Sequence, residues 1–275
     1  MFAVQKKKTH LTVYSSFNMT TEITLAGYGF VGKAVWNSLK DIHTINIIDP
    51  AYNTNTIADF PTAKGIIVCV GTPSLPNGVC DDSQIRAVLE NAPENLPILI
   101  KSTVPPDQLS QIVIDYPNHN ICYSPEFLRA ATANEDFLNQ EYMIIGGEDV
   151  NQFWETLFGP ALKKCEFYLP CSITEASMVK YAINNFLSTK VAFFNQIYEI
   201  CQANGADYQV VKQLVSADTR IGLSHMDVPG PDGSFGFGGA CFPKDTNAFI
   251  KYAQNLNTPI TVVEEVVKYN NKIRK

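Results

Sequence analysis

No stretch of this chain reaches the roughly 18 unbroken apolar residues that a membrane-spanning helix requires, so no membrane helix is expected in its 275 residues. The N-terminus is equally short of secretory features. It starts basic, at Lys6-Lys7-Lys8, but has neither a long apolar stretch nor a small-residue cleavage site. Basic charge is scarce elsewhere: 21 Lys and Arg stand against 27 Asp and Glu, a net charge of −6. That is the wrong sign for a chain that tracks a nucleic-acid backbone. The cysteines at 69, 80, 122, 165, 171, 201 and 241 contain no CxxC pair and no regular framework, so neither a metal site nor a disulfide scaffold is expected. Their odd number, without secretory features, points to a reducing, cytoplasmic setting. No internal repeat is present.

What remains is an ordinary globular composition, 45% hydrophobic and 17% charged, in a chain long enough for two modest domains. Residues 1–20 are polar and irregular and read as a flexible extension. From Glu22 strands and helical patterns alternate. The strands are expected at Ile23–Ala26, Thr44–Ile48, Gly65–Val70, Pro97–Lys101, Asn120–Tyr123 and Tyr142–Gly146, with a helix from about Gly32 to Leu39. Near-continuous apolar strands separated by helical patterns imply a parallel sheet covered on both faces. Cys69 and Cys122 fall in such strands and read as small core residues. The character changes after Leu169-Pro170. A long helix is expected from Thr174 as N-cap to the stop at Asn204-Gly205, then helices over Tyr208–Ser216, about Pro243–Ala253, and from Pro259 onward. The expected domains are therefore residues 21–168, a Rossmann-type doubly wound α/β domain, and residues 169–275, an all-helical domain.

Gly27-Tyr28-Gly29-Phe30-Val31-Gly32 matches G-x-G-x-x-G directly after a strand and at the opening of a helix. Alone the pattern is weak, but Asp49 ends the next strand about 20 residues on, where a carboxylate accepts hydrogen bonds from an adenosine ribose. A carboxylate there repels a 2′-phosphate, which favours NAD over NADP. Gly71-Thr72-Pro73 and Ser102-Thr103-Val104 each follow an expected parallel strand, at the sheet edge where ligands of open α/β sheets bind. Ordinary turns would look the same.

The most telling segment is Gly236-Phe-Gly-Gly-Ala-Cys-Phe-Pro-Lys-Asp245. Pro243 suits the first turn of a helix. A helix starting near Phe242 puts Cys241 at its positive end with Lys244 close by, and both effects favour the thiolate that attacks carbonyls. A buried structural cysteine is the bland alternative.

Four segments, Lys101-Ser-Thr-Val-Pro105, Ser124-Pro-Glu-Phe-Leu-Arg129, Lys180-Tyr-Ala-Ile-Asn184 and Gly236–Asp245, follow the glycine turn in that order. Together they resemble the UDP-glucose/GDP-mannose 6-dehydrogenases over residues 22–275. The resemblance implies a four-electron oxidation of a sugar C6 alcohol to a carboxylate with two NAD in succession. It implies Cys241 as the nucleophile that carries a thiohemiacetal and then a thioester. It implies Lys180 and Asn184 as stabilisers of the oxyanion at C6, Asp245 as a partner for the lysine or a water, Glu126 as acid/base in thioester hydrolysis, and Thr103 as a holder of the catalytic water. NAD would contact Gly27, Gly29, Phe30, Val31, Gly32, Asp49, Thr72, Ser102, Thr103 and Lys244. The sugar would contact Glu126, Phe127, Leu128, Lys180, Asn184 and Cys241, with Phe235, Gly236, Phe237 and Gly238 as the facing loop. Arg220 would reach the sugar of a neighbouring subunit in a dimer built through the helical domain. His225 has no counterpart and reads as structural.

Three departures stand out. Ala130 occupies the position of a second acidic residue usual in the family, and the loop Ser224–Ser234 is richer in Pro, Gly and Asp than the common form. The sequence also ends where the family continues into a third, nucleotide-binding domain, so the resemblance is to a short form. A non-catalytic NAD or nucleotide-sugar binder and a 3-hydroxyacid or 6-phosphogluconate type dehydrogenase are the competing expectations. The latter would release one NADH per substrate rather than two.

Overall fold

The computed structural model describes residues 20–162 and 164–274, so the extension expected at the N-terminus lies, apart from Thr20, outside the described residues. Seven strands form one sheet: β1 (Glu22–Ala26), β2 (Thr44–Ile48), β3 (Ile66–Val68), β4 (Pro97–Ile100), β5 (Asn120–Tyr123), β6 (Tyr142–Gly146) and β7 (Glu166–Cys171), in the spatial order β2-β1-β3-β4-β5-β6-β7. Helices α1 (Phe30–Leu39), α2 (Ser83–Asn91), α3 (Pro106–Asp115), α4 (Ala133–Leu138) and α5 (Phe153–Phe158) lie between them, followed by α6 (Ile173–Asn204), α7 (Tyr208–Ser216), α8 (Phe242–Asn255) and α9 (Thr261–Ile273).

The central strands read as unbroken apolar runs because both of their faces are covered. Ile23, Leu25, Ile67 and Leu99 pack with Ala34, Val35 and Leu39 of α1, Phe137 of α4 and Trp154 of α5. Ile66, Val68, Ile98 and Ile100 pack on the other side with Ile85 and Leu89 of α2 and Leu109 and Ile112 of α3. Successive residues of a strand point to opposite faces, so β3 and β4 each feed both cores.

The chain steps from β1 outward to β2, then back across to β3 on the other side of β1. The carboxyl ends of β1 and β3 therefore flank a point where strand order reverses, the place where open α/β sheets bind ligands. The crossing from β2 to β3 contains no α-helix, only one 3-10 turn at Ile57–Asp59, although helices were expected between strands.

Two further expectations need correction. The sheet is not wholly parallel: β6 meets β5 antiparallel, with Tyr123 opposite Gly146, and then pairs parallel with β7. An apolar run buried on both faces looks the same in either direction, so strand polarity is set by the connection, here through α4. That helix packs beside α1, where Asn37 donates to Asn134 at 2.9 Å. The N-cap of α6 is also Ser172 rather than Thr174. Ser172 Oγ accepts from Glu175 N at 3.1 Å, and the Glu175 carboxylate accepts from Ser172 N at 2.6 Å, a reciprocal capping box.

The described chain divides into two compact units, one holding residues up to 73 and 80–180, the other residues 74–79 and 181 onward. The second unit has its own core of Phe194, Cys201, Tyr208, Met226 and Val228. No helix of the described residues is long and apolar enough to cross a membrane.

Candidate active site

In the first unit the three glycines of the β1–α1 turn have three separate reasons to be glycine. Gly27 has φ +92°, and a Cβ there would lie 2.6 Å from the carbonyl carbon of Cys69. A Cβ on Gly32 would collide with the carbonyl oxygen of Gly27, so this residue lets α1 close against the turn. Gly29 is different: a Cβ would meet nothing within 4 Å. It is the N-cap of α1, has an ordinary φ of −72°, and the first turn of the helix carries neither a side-chain cap nor an acidic residue. The unsatisfied N–H groups of that turn therefore open onto space at a positive helix end, with Phe30 and Val31 as its first residues. Asp49, at the end of β2, is fixed by two backbone donors, Tyr28 N at 2.6 Å and Ala51 N at 2.8 Å. A turn that is open at the second glycine and closed at the first and third fits the diphosphate of a dinucleotide.

The next strands end in polar residues that tie their loops together. Thr72 Oγ1 donates to the Thr103 carbonyl at 2.9 Å, and Ser102 Oγ donates to the Val70 carbonyl at 2.8 Å. Beyond β4 and β5 lies a buried charge cluster. Lys101 and Glu126, only 2% and 7% exposed, form an ion pair. The Lys101 ammonium also donates to Ser124 Oγ at 3.1 Å and to the Ser124 carbonyl at 3.3 Å. Lys180, on α6, donates to the Glu126 carbonyl oxygen and lies 5.4 Å from the centre of the Phe127 ring. Burial pushes the Glu126 carboxyl above the usual carboxylate range, while Lys101 and Lys180 pull against that shift. Phe127 and Leu128 are half-buried beside it, and the exposed Arg129 that closes this segment is clamped to Asp136 at 2.6 Å. Ala130 opens a short 3-10 turn and brings no carboxylate.

In the second unit, α8 begins at Phe242, with Pro243 in its first turn and Cys241 as N-cap. The thiol-bearing residue is half-buried, and its carbonyl accepts the Asp245 N–H at 2.8 Å, closing the first turn. The Asp245 side chain is 1% exposed and accepts from Asn184 Nδ2 and from Lys244 Nζ, each at 2.6 Å. Lys244 is thus committed to Asp245. Lys180 and Asn184 keep their four-residue spacing on α6.

The glycine loop before the cysteine is held by two buried amides. Asn195 Oδ1 accepts from Gly236 N at 3.1 Å, while Asn270 accepts from Phe237 N at 2.7 Å and donates to the Phe237 carbonyl at 3.1 Å. Gly236 has φ +71° and adjoins the Asn270 amide, and Gly238 adjoins the Arg274 guanidinium, so close approach at both is made by the protein itself. Gly239 has φ +74° and faces open space. Phe235 is exposed and Phe237 buried. Arg220 is exposed and paired with Asp218 at 2.6 Å, and its loop is held by the buried Lys190, which donates to the carbonyls of Ile221 and Gly222 at 2.9 and 3.0 Å. His225 packs its ring against Phe242.

Sequence reasoning missed Lys101 as a partner of Glu126, and Asn195, Asn270 and Arg274 as supports of the glycine loop. A lysine at the end of an expected strand reads as a solvated cation. The one available signal was its position at the carboxyl end of β4, beside the other site candidates.

Residues 39–158 match the NAD binding domain of the UDP-glucose/GDP-mannose dehydrogenase family, and residues 174–272 match the central domain of the same family. A UDP-glucose 6-dehydrogenase of Rickettsia typhi is 31% identical over 226 residues, 78% of this chain and 51% of the relative. The UDP-glucose 6-dehydrogenase TuaD of Bacillus subtilis is 32% identical over 255 residues, 86% of this chain and 53% of the relative. The chain thus spans about half the length of the curated relatives it matches. Among solved structures, a UDP-glucose dehydrogenase from Pyrobaculum islandicum has the same fold, with a TM-score of 0.82 at 23% identity over 94% of this chain and 69% of that one.

Proposed function

The chain belongs to the UDP-glucose/GDP-mannose dehydrogenase family, and we propose that it oxidises the C6 alcohol of a nucleotide sugar to the carboxylate, with UDP-glucose as the first substrate to try. The observation that carries this assignment is Cys241 at the entry to α8, one turn before a buried Asp245 held by Asn184 and Lys244. The Gly27–Gly32 turn, Asp49, Thr72, Ser102 and Thr103 would hold NAD, which would supply the hydride acceptor for each of two oxidations.

The proposed work of the protein's own residues follows from their chemistry. Lys180 and Asn184 offer a cation and an amide donor to the oxygen at C6 as negative charge gathers there. The Cys241 sulfur adds to the C6 aldehyde, and the thiohemiacetal formed is the species oxidised next. The trap keeps a reactive aldehyde out of solution. The second oxidation leaves a thioester on Cys241. Water then forms the new C–O bond, the C–S bond breaks, and the sulfur leaves as thiolate. Glu126, with Thr103 and Asp245 orienting the water, accepts the proton that water releases. The balance is one alcohol, two NAD and one water in, and one carboxylate, two NADH and three protons out.

A second copy of the chain is the proposed occupant of an apolar stripe on α6. Phe186, Phe193 and Ile200 are 66%, 53% and 57% exposed and repeat every seven residues, the spacing that keeps side chains on one seam of a helix pair. Arg220, exposed on its loop, would then be presented to the neighbouring subunit's sugar. The seven free cysteines fit a reducing compartment.

The experiment is direct: purified protein is mixed with NAD and UDP-glucose, UDP-N-acetylhexosamines or GDP-mannose, and NADH absorbance is followed. Turnover with one of them is expected, and silence with all of them contradicts the assignment.

A further inference from the structure

Lys101 and Glu126 form the one ion pair among the described residues in which both side chains are almost fully enclosed. Their surroundings come from several elements. Lys180 on α6 reaches the Glu126 carbonyl, and Ser124, just past β5, offers Lys101 its hydroxyl and its carbonyl. The thiol of Cys69, past β3, and that of Cys165, beside Glu166 ahead of β7, lie within electrostatic reach of the pair, and burial pushes both thiols up to about 12, so they stay neutral. The rings of Phe137 and Phe158 lie 5.7 and 5.9 Å from the Lys101 ammonium. The backbone fixes where the ammonium starts, because Lys101 N donates to the Val68 carbonyl at 2.9 Å.

Such a pair serves folding poorly, since well-packed apolar residues of similar volume generally do as well or better. It also stands beyond the carboxyl ends of β4 and β5, at the sheet edge suited to ligands, not in the strands themselves. Resting on the dehydrogenase function proposed above, we infer that Lys101 is a positioning residue whose ammonium keeps Glu126 ionised and fixes its carboxylate in place. An ionised Glu126 takes a proton from water; a neutral one does not. In an apolar enclosure a carboxyl is driven toward its neutral form, and Lys101 is the nearer of the two cations that oppose this.

The test measures Glu126 itself. Full-length protein carrying glutamate labelled with carbon-13 at the side-chain carboxyl is titrated by NMR, and the resonance missing from Glu126→Gln identifies Glu126. Removing the charge with Lys101→Met should raise the Glu126 midpoint by about one pH unit or more, a tenfold change in its ionisation equilibrium. Lys101→Arg should restore most of the wild-type value. In turnover the acid limb of the kcat profile should move by the same amount, with KM for NAD unchanged. An unmoved midpoint in a folded Lys101→Met protein overturns the inference. If Lys101→Met does not fold, Lys101→Met with Glu126→Gln should, because both charges are then gone; a double variant as unfolded as the single one overturns it too. The titration needs no turnover. A protein that makes no NADH therefore sinks the proposed activity, while the midpoint still decides the role of Lys101.

Discussion

Asp245 concentrates the demands placed on single residues in this chain. Its carboxylate is enclosed, and its two oxygens are taken by the Lys244 ammonium and the Asn184 amide. Asp245→Ala would leave a cation and an amide donor facing a void, and removing one partner of such a buried pair costs about 3 kcal/mol or more. Urea unfolding should show that loss, with Asp245→Asn costing less than Asp245→Ala. A loss below about 1 kcal/mol in the alanine variant would contradict the pairing. At this scale the placement of residues in short segments was readable: Cys241, Lys244 and Asp245 fall at one helix start, and Lys180 and Asn184 lie one turn apart on α6. Lys101 was not, because its burial and charge partner arise from Glu126, twenty-five positions later, across a strand pair. Asn195 and Asn270 escaped for the same reason, since each matters only through the loop it holds.

The turn between β1 and α1 separates the needs of the fold from those of a ligand. Gly32→Ala pushes a methyl group into the Gly27 carbonyl and should unfold the turn, lowering the melting temperature well outside error. Gly29→Ala meets open space at an ordinary φ, so it should cost the fold about 1 kcal/mol at most, as a weaker N-cap, while weakening NAD binding several-fold by filling the approach to the helix N-terminus. Calorimetric titration with NAD and thermal melts of both variants check this. Full NAD affinity in a folded Gly29→Ala protein would remove the turn from the cofactor site. Elements themselves were largely legible, since β1 to β6 are short apolar runs and α7 spans Tyr208–Ser216 as its pattern predicts. Direction was not legible: the apolar run Tyr142–Gly146 is compatible with either polarity, and β6 meets β5 antiparallel. The start of α6 was misjudged because Thr174 is a plausible cap by type, while Ser172 has Glu175 at the reciprocal position.

At the scale of the molecule, the long α6 carries both Lys180 and Asn184, which the proposed chemistry uses, and an apolar seam. A 32-residue helix is about 48 Å long, and Phe186, Phe193 and Ile200 leave part of it uncovered by its own chain. Phe186→Asp combined with Phe193→Asp should convert a dimer into a folded monomer by light scattering; a monomeric wild type, or an unchanged mass in the variant, would contradict the proposed pairing. The chain matches two domains of its family while spanning about half the length of its curated relatives; Thr103 and Glu126 of the proposed site fall in the first matched domain and Lys180, Asn184, Cys241 and Asp245 in the second. The most direct test of that chemistry is the number of NADH formed for each nucleotide sugar consumed. Two are predicted for the wild type, with turnover abolished in Cys241→Ser. One NADH per sugar, or undiminished turnover without the Cys241 thiol, would contradict the covalent two-step oxidation.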